Sequence, residues 1–231
     1  MSTPSIVWET QYASLNEEGY TIIPGLLTKQ ECQELRACYS ENHLYRATIN
    51  MQRYRFGKGE YKYFNYPLPS KIQELRASLY GPLAFLANEW MKSLTIEIAY
   101  PLQHEGLIRQ CAEKGQRRPT PLMLRYETGG FNTLHQDLYG EVYFPFQVVF
   151  VLSESGKEFE GGEFVLVEQL PRAQSRARVI KPMQGDALIF TTNFRPVKGT
   201  RGYYRAKMKH GISPLTSGTR HALGIIFHDA T

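Results

Sequence analysis

The chain is predicted to be mainly β with helices in its N-terminal part: a sandwich or barrel over 119–231, preceded by a mainly helical segment over 1–118. The hydrophobic pattern changes near Pro121, beyond which short β-rich runs at 121–127, 144–152, 163–168, 186–191, 203–212 and 220–228 alternate with turn residues. Helix start and stop signals concentrate upstream of that point. At 231 residues the chain is long enough for one sizeable core, and no internal repeat or low-complexity tract divides it. One domain over 1–231 is therefore expected.

Thr28-x-x-Glu31 has the form of a capping box ahead of Cys32-Gln33-Glu34-Leu35, and Ser70-x-x-Gln73 of a second one ahead of Leu75. Helices near 28–41 and 70–80 follow. Gly81-Pro82 should stop the second and start another through Trp90 and Met91, because proline is tolerated at a first helical position. A further helix runs from about 103 to Gly115. Between the first two, aromatic and basic residues interleave from Tyr54 to Tyr66 around Gly57 and Gly59, which reads as a hairpin over 52–66. Such interleaving suits stacking on bases beside phosphates, and equally a hairpin packed on a barrel with its lysines in water.

No window approaches the length of a membrane span, and Met1-Ser2-Thr3-Pro4 lacks a basic region followed by an apolar stretch, so a cytoplasmic location and no membrane partner are expected. Cys32, Cys38 and Cys111 make neither a disulfide framework nor a four-ligand zinc site. The net charge of +5 is unevenly spread: between Pro171 and Lys209, ten basic residues (Arg172, Arg176, Arg178, Lys181, Arg195, Lys198, Arg201, Arg205, Lys207, Lys209) face one acid, Asp186. The remainder is net acidic. A basic region of this kind is a candidate surface for a polyanion, and also an ordinary solvated face.

The chemistry-bearing segment is Leu134-His135-Gln136-Asp137. In extended chain, residues i and i+2 project to one side, so His135 and Asp137 are able to face one point. Two histidines and one carboxylate on a single face of an octahedron leave three positions open, the arrangement of non-haem Fe(II) oxygenases. His210 is the best third ligand, on a late strand; His104, His221 and His228 compete with it. Arg220 lies ten residues after His210, and the turn 214–219 should fold the last two strands back, paired in one sheet or facing across a sandwich. A buried arginine needs an anion, and a dicarboxylate bound to the metal at one end supplies it; a salt bridge to a glutamate is the structural alternative. Whether Arg205 or Gln147 lines the pocket is left open by the sequence.

These residues resemble a family. Arg125-Tyr126-Glu127-Thr128-Gly129-Gly130 through His135-Gln136-Asp137, then Gly161-Gly162-Glu163-Phe164, Gly185-Asp186-Ala187, His210-Gly211-Ile212-Ser213 and Gly218-Thr219-Arg220-His221 resemble, in order, the iron and 2-oxoglutarate dioxygenases. From Arg118 to Ala230 the chain is most similar to a bacterial oxygenase family catalogued as oxidative demethylases of damaged DNA. The resemblance implies a double-stranded β-helix (jelly roll), Fe(II) on His135, Asp137 and His210, 2-oxoglutarate on Arg220, and O2 as oxidant. Tyr126, nine residues before His135, matches a tyrosine near the cosubstrate in AlkB-type and prolyl hydroxylase enzymes. The chain departs from the AlkB type six residues after Arg220, where Ile226 replaces a second arginine.

The expected activity is hydroxylation with release of succinate and CO2, of an alkylated nucleic acid reached through 171–209 and 52–66, or of a protein residue or small molecule. A non-enzymatic β-barrel binding module is the rival class.

Overall fold

The computed structural model describes residues 6–231; the stretch Met1–Pro4, read above for a leader, lies outside the described residues. Helices α1 (Trp8–Glu18), α2 (Lys29–Ala37), α3 (Ser70–Ser93) and α4 (His104–Glu113) accompany fourteen strands. In the first half these are β1 (Tyr20–Ile23), β2 (Tyr45–Asn50), β3 (Gly57–Lys58), β4 (Glu60–Phe64), β5 (Leu122–Glu127), β6 (Phe131–His135) and β7 (Phe146–Val151). β8 (Phe159–Gly161), β9 (Phe164–Gln169), β10 (Arg176–Ile180), β11 (Ala187–Thr191), β12 (Phe194–Gly199), β13 (Gly202–Ile212) and β14 (Leu215–Ile226) complete them.

The strands form two antiparallel sheets. The major one has the order β1-β11-β7-β14-β5-β4-β2, with β8 joined to β14; the minor one has β10-β9-β13-β6-β3, with β12 joined to β13. From β5 onward the chain passes repeatedly between the sheets, which is jelly-roll connectivity, as expected. Two cores result. Phe146, Val148, Phe150, Leu223, Ile225 and Phe227 pack outward against α3 and its Leu79, Leu83 and Trp90. Val149, Val151, Tyr126, Phe164, Leu188, Phe190, Met208 and Ala222 fill the space between the sheets. Because β7 is buried on both faces, it reads as an unbroken apolar run interrupted by one polar side chain, Gln147.

Several expectations need correction. α3 does not break at Gly81-Pro82 but runs through with Pro82 inside it. A helix-interior proline costs about 3 kcal/mol, yet one stripe (Ile72, Leu75, Leu79, Leu83, Leu86, Trp90) is buried along both halves, and each large apolar side chain contributes about 1.5–3 kcal/mol. Ser70 is not a cap: Pro69 holds that position, and no side chain caps the helix. The Thr28–Glu31 capping box is present as read. The hairpin is not 52–66. Its arms are β2 and β4, paired from Tyr45↔Phe64 to Asn50↔Glu60, so it opens at 45. Residues 51–59 are its connection, a 3-10 turn with Asn50 accepting from the Gln52 amide, left-handed Arg55 (φ 59°), and β3, which crosses to the other sheet to pair with β6. The 1–118 part is therefore not simply helical; it supplies four strands.

The chain reverses after β13 at Ser213-Pro214, not over 214–219. Residues 215–218 already belong to β14 and pair with β8. β13 and β14 lie in different sheets, so His210 and Arg220 face each other across the sandwich.

Candidate active site

β6 ends at His135, and the register of β6 on β13 places His135 directly opposite His210, ring centroids 4.2 Å apart. The chain then leaves the ladder and brings Asp137 in beneath both rings, Oδ1 lying 3.5 Å from His135 Nε2 and Oδ2 3.3 Å from His210 Nε2. His135 Nδ1 lies 2.7 Å from the Thr133 carbonyl, which orients Nε2 inward. Gly211 permits the close approach of β13 to β6, since a Cβ there would stand 2.7 Å from the Asn132 carbonyl oxygen.

Burial opposes ionisation of Asp137, but the hydrogen bond with His210 and the two imidazoles outweigh it and hold the carboxyl well below the usual range. Burial, then the neighbouring His135, pushes the His210 pKa down. An ionised carboxylate with a neutral imidazole is the state that binds a cation. One atom from each of His135, Asp137 and His210 falls within 4.8 Å of the others. Two nitrogens and one oxygen on one side of a cavity suit a six-coordinate Fe(II) with an open face, so the donor set fits iron.

These groups line a cavity of about 210 Å³ shared with Tyr61, Tyr63, Tyr126, Gln147 and Arg220. Arg220 is 2% exposed. Among the described residues no carboxylate pairs with it, and its nearest charge-complementary surfaces are the rings of Tyr126 and Phe159, each 5.9 Å away. The glutamate alternative fails. Desolvation lowers the Arg220 pKa, against a smaller upward effect of Tyr126. Tyr126 is the direct cross-strand partner of Arg220, fully buried, with a hydroxyl that makes no hydrogen bond. Gly162 (φ +64°) lets the β8–β9 turn pass over the arginine, since a Cβ there would stand 3.2 Å from Arg220 Cδ.

The competing histidines lie elsewhere. His104 Nε2 is 2.9 Å from the Phe227 carbonyl, His221 packs edge-on against Tyr39, and His228 accepts from the Phe144 amide. Gln147 lines the cavity with an unpaired, buried Nε2, whereas Arg205 is exposed and stacks over Phe194. Sequence reading missed Tyr139, whose hydroxyl donates to Asp137 Oδ1 at 2.6 Å, and Tyr63, which donates to Tyr139 at 3.0 Å. The same i, i+2 logic that joined His135 to Asp137 extends one step further to Tyr139. Tyr63 is far away in sequence, and the aromatic stretch 54–66 that contains it gave no sign of a link to Asp137.

Not all of the basic region is exposed. Arg178 and Arg195 are buried and paired with Glu168, Arg178 also with Glu18. Lys181 pairs with Glu163. Arg205, Lys207 and Lys209 alternate outward on β13, while Lys198 and Arg201 are exposed at and beside the tip of the β12–β13 hairpin. The three cysteines are free. Among the described residues, no helix is long and apolar enough to cross a membrane.

A family described as "Oxygenase, catalysing oxidative methylation of damaged DNA" matches residues 59–230, about three quarters of the chain. The chain belongs to this oxygenase family. It is therefore an enzyme, an oxidoreductase. An uncharacterized protein found in two strains of Mycobacterium tuberculosis is 46% identical to this oxygenase over 167 residues, 72% of each chain. Among solved structures, a Pseudomonas putida prolyl-4-hydroxylase aligns with a TM-score of 0.58 at 13% identity, over 97% of this chain and 100% of its own. A Burkholderia pseudomallei oxidoreductase of the 2OG-Fe(II) oxygenase family aligns with a TM-score of 0.53 at 15% identity, over 100% and 96%. The epimerase SnoN of nogalamycin biosynthesis, described as non-heme and alpha-ketoglutarate dependent, gives 0.56 at 13% identity, over 95% and 81%. At these identities the likeness establishes the jelly-roll fold. The His-Asp-His group offers donors able to hold an iron ion.

Proposed function

We propose that this oxygenase, one catalytic domain over the whole chain, is an Fe(II)- and 2-oxoglutarate-dependent dioxygenase that removes alkyl groups from nucleic acid. His135, Asp137 and His210 hold the metal, and Arg220 receives the distal carboxylate of the cosubstrate beside Tyr126. The observation that carries this reading is the unpaired guanidinium of Arg220, fully buried in the same cavity as the His-Asp-His group. An isolated buried charge is costly, and a dicarboxylate reaching across from the metal satisfies it.

When bound, iron with 2-oxoglutarate and O2 inserts one oxygen atom into a substrate C–H bond, while the cosubstrate takes the other and leaves as succinate and CO2. Around that chemistry the chain performs three tasks. His135, Asp137 and His210 fix one coordination face; Arg220 and Tyr126 orient the cosubstrate; Phe164, Phe190, Leu124 and Val149 keep the cavity dry. At an N-methyl group, hydroxylation gives a hemiaminal; its C–N bond then breaks, with formaldehyde and the unmethylated base as products.

The family description supports a damaged-DNA substrate. So does the cavity mouth, where Tyr54 and Phe56 are exposed and stacked at 5.6 Å beside Arg53 and Arg55, and Phe56 also lines the cavity. Such a pair offers a flat face to a base extruded from the helix. Hydroxylation of a protein residue is the second reading, since Ile226, where the AlkB type carries a second arginine, departs from the pattern of the nucleic-acid enzymes.

Succinate and formaldehyde release should be followed with alkylated oligonucleotides and with peptides. The reading predicts iron-dependent turnover on the oligonucleotides that His135→Ala and His210→Ala abolish in folded protein. Affinity for DNA should fall steeply with salt. Turnover on peptides alone, with salt-insensitive DNA binding, would sink the nucleic-acid assignment; turnover unchanged in both alanine variants would sink the metal site.

A further inference from the structure

We propose that Tyr139, backed by Tyr63, is a positioning residue for Asp137, holding its Oδ1 so that Oδ2 alone is presented to the metal. This rests on the reading of His135, Asp137 and His210 as the metal ligands.

Asp137 needs such a device because of where it lies. His135 is held by the β6 ladder and by the contact of its Nδ1 with the Thr133 carbonyl, and His210 by pairing on both sides of β13. Asp137 follows the end of β6 in irregular backbone, so no ladder fixes its carboxylate. A free carboxylate is able to offer a cation one oxygen or two. Two would occupy an additional coordination position, and a chelating cosubstrate plus O2 needs all three that a facial set of three ligands leaves open.

The Tyr139 hydroxyl donates to Asp137 Oδ1 at 2.6 Å, a short charge-assisted bond. Its single proton is then committed, so its oxygen is free to accept, and the Tyr63 hydroxyl donates to it at 3.0 Å. Tyr63 stands on β4, in register with Leu122 of β5, its ring covered by Arg46 at 4.6 Å, and Arg46 in turn donates to the Pro119 carbonyl. The two phenols thus tie a ligand outside the ladder to the major sheet. Oδ2, which carries no such bond, lies 3.3 Å from His210 Nε2, while Oδ1, engaged by Tyr139, lies 3.5 Å from His135 Nε2.

Groups hydrogen-bonded to a metal ligand typically contribute 10–100-fold to metal affinity. Tyr139→Phe keeps the ring, which lies against Tyr63 and His228, and removes only the donor. Co(II), titrated into the full-length protein and followed by calorimetry and by its visible ligand-field absorption, is the probe. Tyr139→Phe should bind Co(II) about 10–100-fold more weakly, with a changed absorption spectrum and an unfolding midpoint of the metal-free protein close to wild type. Tyr63→Phe should shift both readouts the same way by less. Wild-type affinity and spectrum in Tyr139→Phe would overturn the proposal. If Tyr139→Phe fails to fold, Tyr63→Phe decides in the same manner. Wild-type protein that binds Co(II) no better than His210→Ala would instead overturn the ligand assignment beneath it.

Discussion

At Arg220, stability and binding pull in opposite directions. The guanidinium is buried against Tyr126 and Phe159 with no acid beside it, so the ligand-free fold bears a desolvation cost that an apolar side chain of similar length would not. Arg220→Met should therefore raise the unfolding midpoint of the ligand-free protein. It should also weaken 2-oxoglutarate by about 10–150-fold, since a hydrogen bond to a charged group contributes about 1.5–3 kcal/mol. Thermal unfolding with and without Mn(II) and 2-oxoglutarate reads both effects; a variant that loses stability and still responds to the cosubstrate would show that Arg220 is structural. Gly162→Ala tests the same side chain from outside, because the added methyl meets Leu215 at 2.6 Å and Arg220 Cδ at 3.2 Å, at a φ that L-residues disfavour. It should raise the KM for 2-oxoglutarate while the affinity for Co(II) stays within about threefold of wild type, a factor corresponding to roughly half of the 1.4 kcal/mol that makes tenfold. The convergence of His135 and Asp137 was legible because their spacing is local, whereas His210 and Arg220 meet across two sheets and not symmetrically about the turn between them. What spacing did not convey was the support: Tyr63 and Gln147 reach the cavity from strands whose pairing no local pattern announces.

Among the elements, the strands with both faces buried were read most easily and the N-terminal ones least. β1, β2 and β3 are short or half exposed, and β1 joins the major sheet through β11, more than 160 positions along the chain, so its four residues carry no period of their own. The hairpin was displaced because its aromatic texture spans the connection and the second arm β4, while the first arm Tyr45–Asn50 looks like ordinary polar chain. α3 was cut at Pro82 by a rule about isolated helices, which packing overrides. The missing proline N–H leaves the Ser78 carbonyl without its helical donor, while the Pro82 carbonyl still accepts from Tyr12 at 3.0 Å. Pro82→Ala restores the donor and should stabilise the protein by about 1–3 kcal/mol, read as a higher urea midpoint at unchanged slope. Destabilisation would mean that the proline itself is needed to seat Leu83 and Trp90 against the sheet.

For the molecule as a whole, charge summed along the sequence overstates surface charge, because Arg178 and Arg195 are buried and paired with Glu168. Buried histidines give a sharper whole-molecule prediction. Burial, then Arg76, depresses His104 to about 4 and His228 to about 3; burial, then Arg36 and Arg125, depresses His221 to about 4. In the unfolded chain each titrates near 6.5. Between those values the unfolded state binds protons that the folded state refuses, so acidification favours unfolding. The stability tied to these groups is complete above pH 6.5 and is lost as pH falls towards their folded values, with a limiting slope on the order of 1 kcal/mol per pH unit for each histidine. The carboxylates act lower: Glu31, hydrogen-bonded to Lys71, is depressed to about 2, so its contribution is lost only from about pH 4.5 downward. Urea midpoints of the metal-free protein should thus decline already between pH 6.5 and 4.5, where acid groups alone would leave them level. Replacing His104 with Gln, which retains a donor for the Phe227 carbonyl, should flatten that decline by about a quarter of its slope, since His210 is depressed as well and one of four proton sinks is removed. An undiminished slope would place the proton uptake at other sites.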